Sequence, residues 1–278
     1  MFVTLSVAER MVIIMNEEMI LTQEQEAAKA KFIAKRGIWK WKTSSMWDDI
    51  LAIDPNIISG YASYSAVPFA NNVISAKDME MFAIAIDASI THMHVPGMKN
   101  HIRHAIELGA TKGEILETLV IASTIGSHTF IEGYKELATQ LKAAGTYPTG
   151  TLSAEQEATK AKLVVNEIDY WEEDYEYALR LDPVGFDAFV EYLLAPLKGL
   201  YLSPKMKEFV WLAVDGSPTT IYKPGIERHI RRALELGATV DELSVVLETV
   251  SCLGVHSVTV GIPILKEALA DETLTKGK

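Results

Sequence analysis

Apolar positions along the chain recur at helical spacing and nowhere sustain the every-second-residue alternation of a strand. The residues between these stretches are those that begin and end helices. Thr22 and Ser153 stand as N-caps ahead of Glu and Lys at helical spacing. Ser203-Pro204 places a cap and a first-turn proline before KMKEFVWLAVDGS, and Ser75 with Asp78 opens the corresponding helix of the first half. A third helix runs from Pro96 or Pro224 to Gly109 or Gly237, where glycine can take the left-handed conformation that ends a helix. Thr111 with Glu114, and Thr239 with Glu242, form capping boxes opening the last long helix. The pattern predicts an all-α protein.

These elements occur twice. A shift of 128 superimposes PGMKNHIRHAIELGATKGEI on PGIERHIRRALELGATVDEL, with twelve of twenty positions identical. The same register pairs Asp54-Pro55 with Asp182-Pro183, Pro68 with Pro196, Asp87 with Asp215, and Gly126-Ser127-His128 with Gly254-Val255-His256. The repeats begin with TQEQEAAKAKF and SAEQEATKAKL at a shift of 131, so three residues were gained or lost between Phe32 and Asp54. AAGTYPTGTLS reads as the linker. The expected domains are 22–145 and 153–272, each a helical bundle.

Composition narrows the function. The 278 residues carry 26 Lys and Arg against 37 Asp and Glu, a net charge of −11. Such a surface repels phosphate backbones and anionic lipid, so neither nucleic acid nor a membrane surface is an expected partner. Cys252 is the only cysteine, which excludes an intramolecular disulfide and any CxxC pair and fits a reducing compartment. No stretch reaches the roughly 18 uncharged apolar residues of a membrane helix. The N-terminal MFVTLSVAERMVIIMNEEMIL is interrupted by Glu9 and Arg10 and lacks a basic n-region; it reads as a short extension upstream of a start such as Met15 or Met19. The expected location is the cytoplasm.

The segments HIRHAIELGATKGEI and HIRRALELGATVDEL resemble the signature of the carboxymuconolactone decarboxylase-like family: a histidine, an arginine two later, then A-L-x-x-G-x-T-x-x-E. The resemblance covers roughly 77–137 and 205–265. It implies an all-α fold and cofactor-free decarboxylation of a small lactone. It also implies two repeats packed about a pseudo-two-fold axis as a fused dimer, and further assembly into a homo-oligomer, a trimer of two-repeat chains. The superfamily's thiol peroxidases use C-x-x-C-x-x-x-H. Here His94 and Gly97 precede His101, and Tyr222 and Gly225 precede His229, so no thiol is present for that chemistry.

The candidate catalytic residues are His101, His128, His229, His256, Asp87 and Asp215. The two family-motif histidines lie early in helices, where the positive helix end favours neutral imidazole; the alternative is a structural polar role. Asp87 and Asp215 sit in apolar helices, where a carboxylate needs a partner or a raised pKa; the alternative is that each accepts hydrogen bonds from a nearby helix start. His128 and His256 follow Gly126 and Gly254, glycines read as marking close packing or ligand approach. His101 pairs with His128, and His229 with His256, as proton-transfer and oxyanion groups; the aspartates orient a histidine or act as base. Arg103 and Arg231 face away and pair with Glu107 and Glu235, and Glu114 and Glu242 are accounted for as caps.

The first half also carries His92, His94 and His104, which makes H-x-H-x6-H-x2-H; the second has Thr220, Tyr222 and Arg232 at those positions. Imidazoles suit a transition metal, yet no carboxylate or cysteine completes a known ligand spacing, so no metal or cofactor is assigned. The divergence predicts unequal copies with the first-half site dominant. The expected activity is decarboxylation of a small carboxylated lactone or enol; a lactone hydrolase or isomerase, and a non-catalytic oligomeric binding protein, are the alternatives.

Overall fold

A computed structural model of the chain describes residues 21–36, 46–70 and 72–271. The N-terminal extension, part of the interval holding the three-residue length difference, and the repeat end at 272 lie outside the described residues. The helices of the first repeat are α1 (Gln23–Arg36), α2 (Met46–Ile53), α3 (Pro55–Ser65), α4 (Ala76–Ala88), α5 (Val95–Glu107), α6 (Lys112–Ser123) and α7 (Ser127–Ala143). Those of the second are α8 (Ala154–Ala161), α9 (Tyr175–Leu181), α10 (Pro183–Lys198), α11 (Pro204–Gly216), α12 (Lys223–Glu235), α13 (Val240–Ser251) and α14 (His256–Ala270).

The helix starts are those the caps specify. Ser75 accepts from the Asp78 N–H, Ser203 from Met206, and Thr111 with Glu114 and Ser153 with Gln156 close full capping boxes. Gly109 and Gly237 end α5 and α12 at φ +91° and +80°. Among the described residues the departure from helices and turns is one short hairpin, Val164–Val165 against Ile168–Asp169. Its two turn residues, Asn166 and Glu167, both have positive φ, as a two-residue hairpin requires.

The described residues group into two compact units that cut across the repeats. One contains the residues up to Val73 and those from Ser251 onward. Its core joins Phe32, Trp47, Ile50, Leu51 and Ile58, with Tyr61, Val258 and Ile262 packed against it. Lys266 of α14 donates to Asp49 of α2 at 3.1 Å. The other unit runs from Ile74 to Val250. At its centre α4 crosses α11, with Phe82 edge-on to Phe209 at 6.4 Å. The equivalent threonines Thr91 and Thr219 meet at 3.4 Å, as related positions do beside a two-fold axis. In this unit α7 packs on α9 and α10 through Lys135–Asp174, Tyr134–Asp182 and stacked Phe130 and Phe189. The last helix of each repeat therefore packs on the opening helices of the other.

Among the described residues one helical stretch, Val240–Ala270, is long and apolar enough to cross a membrane by length and composition. A count of uncharged residues passes over it because Glu248 and Lys266 bound its charge-free run. Its first part, α13, buries Leu243, Val245, Val246 and Val250.

Candidate functional site

Both repeats build the same three-residue skeleton within the unit that runs from Ile74 to Val250. Helices α4 and α11 each present a buried glutamate and, seven residues on and so on the same face, a buried aspartate: Glu80 with Asp87, and Glu208 with Asp215. Helices α5 and α12 bring in His101 and His229, whose Nδ1 atoms each lie 2.7 Å from the glutamate. Burial works against ionisation of Glu80, but hydrogen bonds from His101 and His104 outweigh it and hold the carboxyl below its usual range. The His101 Nδ1 therefore carries the proton and its Nε2 faces the aspartate. That atom is 4.0 Å from Asp87 Oδ2, and the equivalent Nε2 of His229 is 3.5 Å from Asp215 Oδ2. The close approach of helix to aspartate requires glycine. A Cβ at Gly97 would lie 2.1 Å from Asp87 Oδ2, and one at Gly225 would lie 1.6 Å from Asp215 Oδ2.

The loop after each aspartate turns back on it. The N–H of His94 bonds to the Asp87 carbonyl, and that of Tyr222 to the Asp215 carbonyl. The turn passes through a left-handed residue in each copy, Met93 at φ +46° and Ile221 at +42°.

Around the second skeleton a cavity opens, lined by His128, Tyr170, Trp211, Asp215, Arg228 and His229 among others. His128, at the start of α7, reaches Asp215 Oδ1 through Nε2 at 2.9 Å and stacks on Tyr222 at 3.8 Å. Asp215 Oδ2 is buried and makes no hydrogen bond. The Tyr222 hydroxyl donates to Glu132; burial first, and that bond second, push its pKa well above normal, so the phenol stays neutral. Trp211 stacks on His229 at 5.5 Å and donates its indole N–H to Thr124. Arg228 and Arg232, both buried, converge with Arg231 on the single carboxylate of Glu172. The Nε atoms of Arg228 and Arg232 lack hydrogen-bond partners. The cavity wall thus carries guanidinium donors in excess of its own acceptors.

The first skeleton has different surroundings. His104 Nδ1 is 3.0 Å from Glu80, so His101 and His104 share one carboxylate and one helix face. His92 Nε2 and His94 Nδ1 each lie 3.7 Å from Asp87 Oδ1. Burial drives the Asp87 carboxyl up to about 7; the facing His101 opposes this and Glu80 adds to it. Burial lowers both His92 and His94, which keeps them neutral.

The structure rearranges several expectations. His128 joins Asp215 and His229 rather than His101, because α7 packs on the second repeat; His256 opens α14 in the other unit. Gly126 and Gly254 lie in short 3₁₀ turns, and a Cβ at either would meet nothing within 4 Å, so close packing is not their reason. Asp215 does not cap a helix start, since one oxygen is engaged by His128 and the other makes no hydrogen bond. The capping glutamates also pair with Lys77 and Lys205, and Arg231 meets Glu235 as expected. Sequence reasoning passed over Glu80 and Glu208, although their recurrence at the 128-residue shift, seven residues before the aspartates, was a usable signal. It also passed over Trp211, Arg228, Tyr170 and Glu172, which have no counterpart in the repeat to flag them.

An all-α fold in which a buried glutamate, a histidine and a buried aspartate recur at the 128-residue shift defines the class: a helical protein with two matching carboxylate–imidazole centres. No family model and no curated protein matches the chain. A solved structure from Burkholderia xenovorans LB400, provisionally described as a gamma-carboxymuconolactone decarboxylase subunit, is 36% identical to it. The match covers 88% of this chain and 97% of that one, with a TM-score of 0.79. The chain belongs to the carboxymuconolactone decarboxylase family.

Proposed function

We propose that the protein decarboxylates a small carboxylated lactone or enol without an organic cofactor, and that the cavity at His229, Asp215 and His128 is where it does so. The observation that carries this reading is the 2.9 Å contact of His128 with Asp215, which in turn lies 3.5 Å from His229, inside a cavity lined by Arg228 and Arg232. The guanidiniums hold a substrate carboxylate. As the bond to the departing carboxylate breaks, its electron pair moves into the conjugated carbonyl, and hydrogen-bond donors in the cavity stabilise the enolate. Asp215, between two imidazoles, relays the proton that is returned to carbon. Glu208 positions His229 through Nδ1.

The test is a screen of lactone dicarboxylates by mass spectrometry, repeated with Asp215→Asn. Loss of the mass of carbon dioxide in the wild type but not in the variant supports the reading. Gain of the mass of water would assign a lactone hydrolase instead. The relative from Burkholderia is described as a subunit; on that ground and the resemblance we propose self-association of this chain as well, tested by its mass in solution.

A further inference from the structure

The first-repeat centre has a donor set that the decarboxylation reading leaves unused. Asp87 Oδ1, His92 Nε2 and His94 Nδ1 converge, each imidazole nitrogen 3.7 Å from the same carboxylate oxygen, all three atoms within 4.8 Å of one another. Two ligands 2.0–2.1 Å from a tetrahedral metal stand roughly 3.4 Å apart, and each imidazole nitrogen, at 3.7 Å from Asp87 Oδ1, is within a few tenths of an ångström of that spacing. The two histidine side chains are 17% and 14% exposed and the aspartate is 1% exposed, which leaves the site shielded yet reachable.

The backbone holds the set in place. Met93, in the left-handed region, turns the alternate residues His92 and His94 to the same side, and the His94 N–H is tied to the Asp87 carbonyl at 2.9 Å. Behind Asp87, His101 faces its other oxygen at 4.0 Å and is itself anchored by Glu80, an arrangement that orients a ligating carboxylate. The second repeat serves as an internal control. It keeps the loop, with Ile221 left-handed, but places Thr220 and Tyr222 where the imidazoles stand.

We propose that Asp87, His92 and His94 ligate a divalent first-row transition-metal ion, supplying two imidazoles and one carboxylate to its coordination. This site is independent of the decarboxylation reading, and its test reads metal binding rather than turnover. Full-length protein stripped with EDTA is titrated with Zn²⁺ by calorimetry and with Co²⁺ by visible absorption. One ion per chain, the d–d bands of nitrogen and oxygen ligation, and a rise in Tm with Co²⁺ are expected. The His92→Gln/His94→Gln double variant, its fold checked by circular dichroism, should lose affinity by about 100-fold or more. His104→Gln, which leaves the three donors in place, should keep it. Failure of the wild type to bind either ion, unchanged binding by the double variant, or an equal loss in His104→Gln would each overturn the site.

Discussion

At the second-repeat centre Trp211 walls the imidazole of His229, while Arg228 and Arg232 approach from the next helix; the matching positions of the first centre hold Ala83, Asn100 and His104. The Glu–His–Asp contacts are the same in both, with His229 buried and His101 partly exposed. The two skeletons match, and the residues around them give one an excess of fixed positive charge and the other a cluster of imidazoles. A guanidinium remains charged at any physiological pH and suits a carboxylate, whereas neutral imidazoles beside a carboxylate suit a metal ion. The second centre also owes a catalytic candidate, His128, to the first repeat, so neither copy's sequence describes it alone.

The comparison breaks most readily at the two motif histidines. His229→Ala should lower kcat/KM by about 10²–10⁴-fold, the range for loss of a positioned acid–base group, and His101→Ala by far less. Steady-state kinetics on both variants checks this; equal losses would mean two equivalent centres, and a larger loss at His101 would return the activity to the first. Next is Arg232→Met. Removing one guanidinium from the cavity should raise KM for a carboxylate substrate by about tenfold to a hundredfold and move kcat less. An unchanged KM would remove the arginines from substrate binding.

Smaller effects test the shared skeleton. Gly225→Ala would place a Cβ 1.6 Å from Asp215 Oδ2, and Gly97→Ala one 2.1 Å from Asp87 Oδ2. Each should destabilise the fold by about 1–3 kcal/mol, measured by urea unfolding. The capping glutamates come last. Burial raises the pKa of Glu114 and Glu242, but hydrogen bonds from Lys77 and Lys205 and from the capping threonines outweigh it, so both are lowered in the fold. A lowered carboxyl contributes stability above its unfolded value of 4.5 and loses it as pH falls through the folded value. Glu114→Gln and Glu242→Gln should therefore each cost about 0.5–1 kcal/mol at pH 7, with the difference from wild type shrinking below pH 4.5. Because this feature is the same in both repeats, the two variants should behave alike.

Much of this architecture is legible in the amino-acid sequence. Ser75, Thr111, Ser153 and Ser203 mark helix starts because a side-chain oxygen satisfies an N–H two or three residues away. Gly109 and Gly237 mark helix ends because the left-handed conformation is a property of one residue. Duplication made the two skeletons visible as matching positions. The hairpin at Val164–Asp169 escaped because two-residue strands are too short to show alternation.

The sequence by itself determined what local interactions decide: the helix boundaries, the repeat, the absence of a thiol beside the motif histidines, and the family. Tertiary structure alone decided which repeated residues meet. His128 is 87 positions from Asp215, and their contact exists because α7 packs on α9 and α10 of the other repeat, an outcome of matching apolar faces that no spacing along the chain encodes. The same holds for Asp87 with His92 and His94. Their side chains converge only because a left-handed residue and one backbone hydrogen bond fold the loop back onto the helix that carries the aspartate.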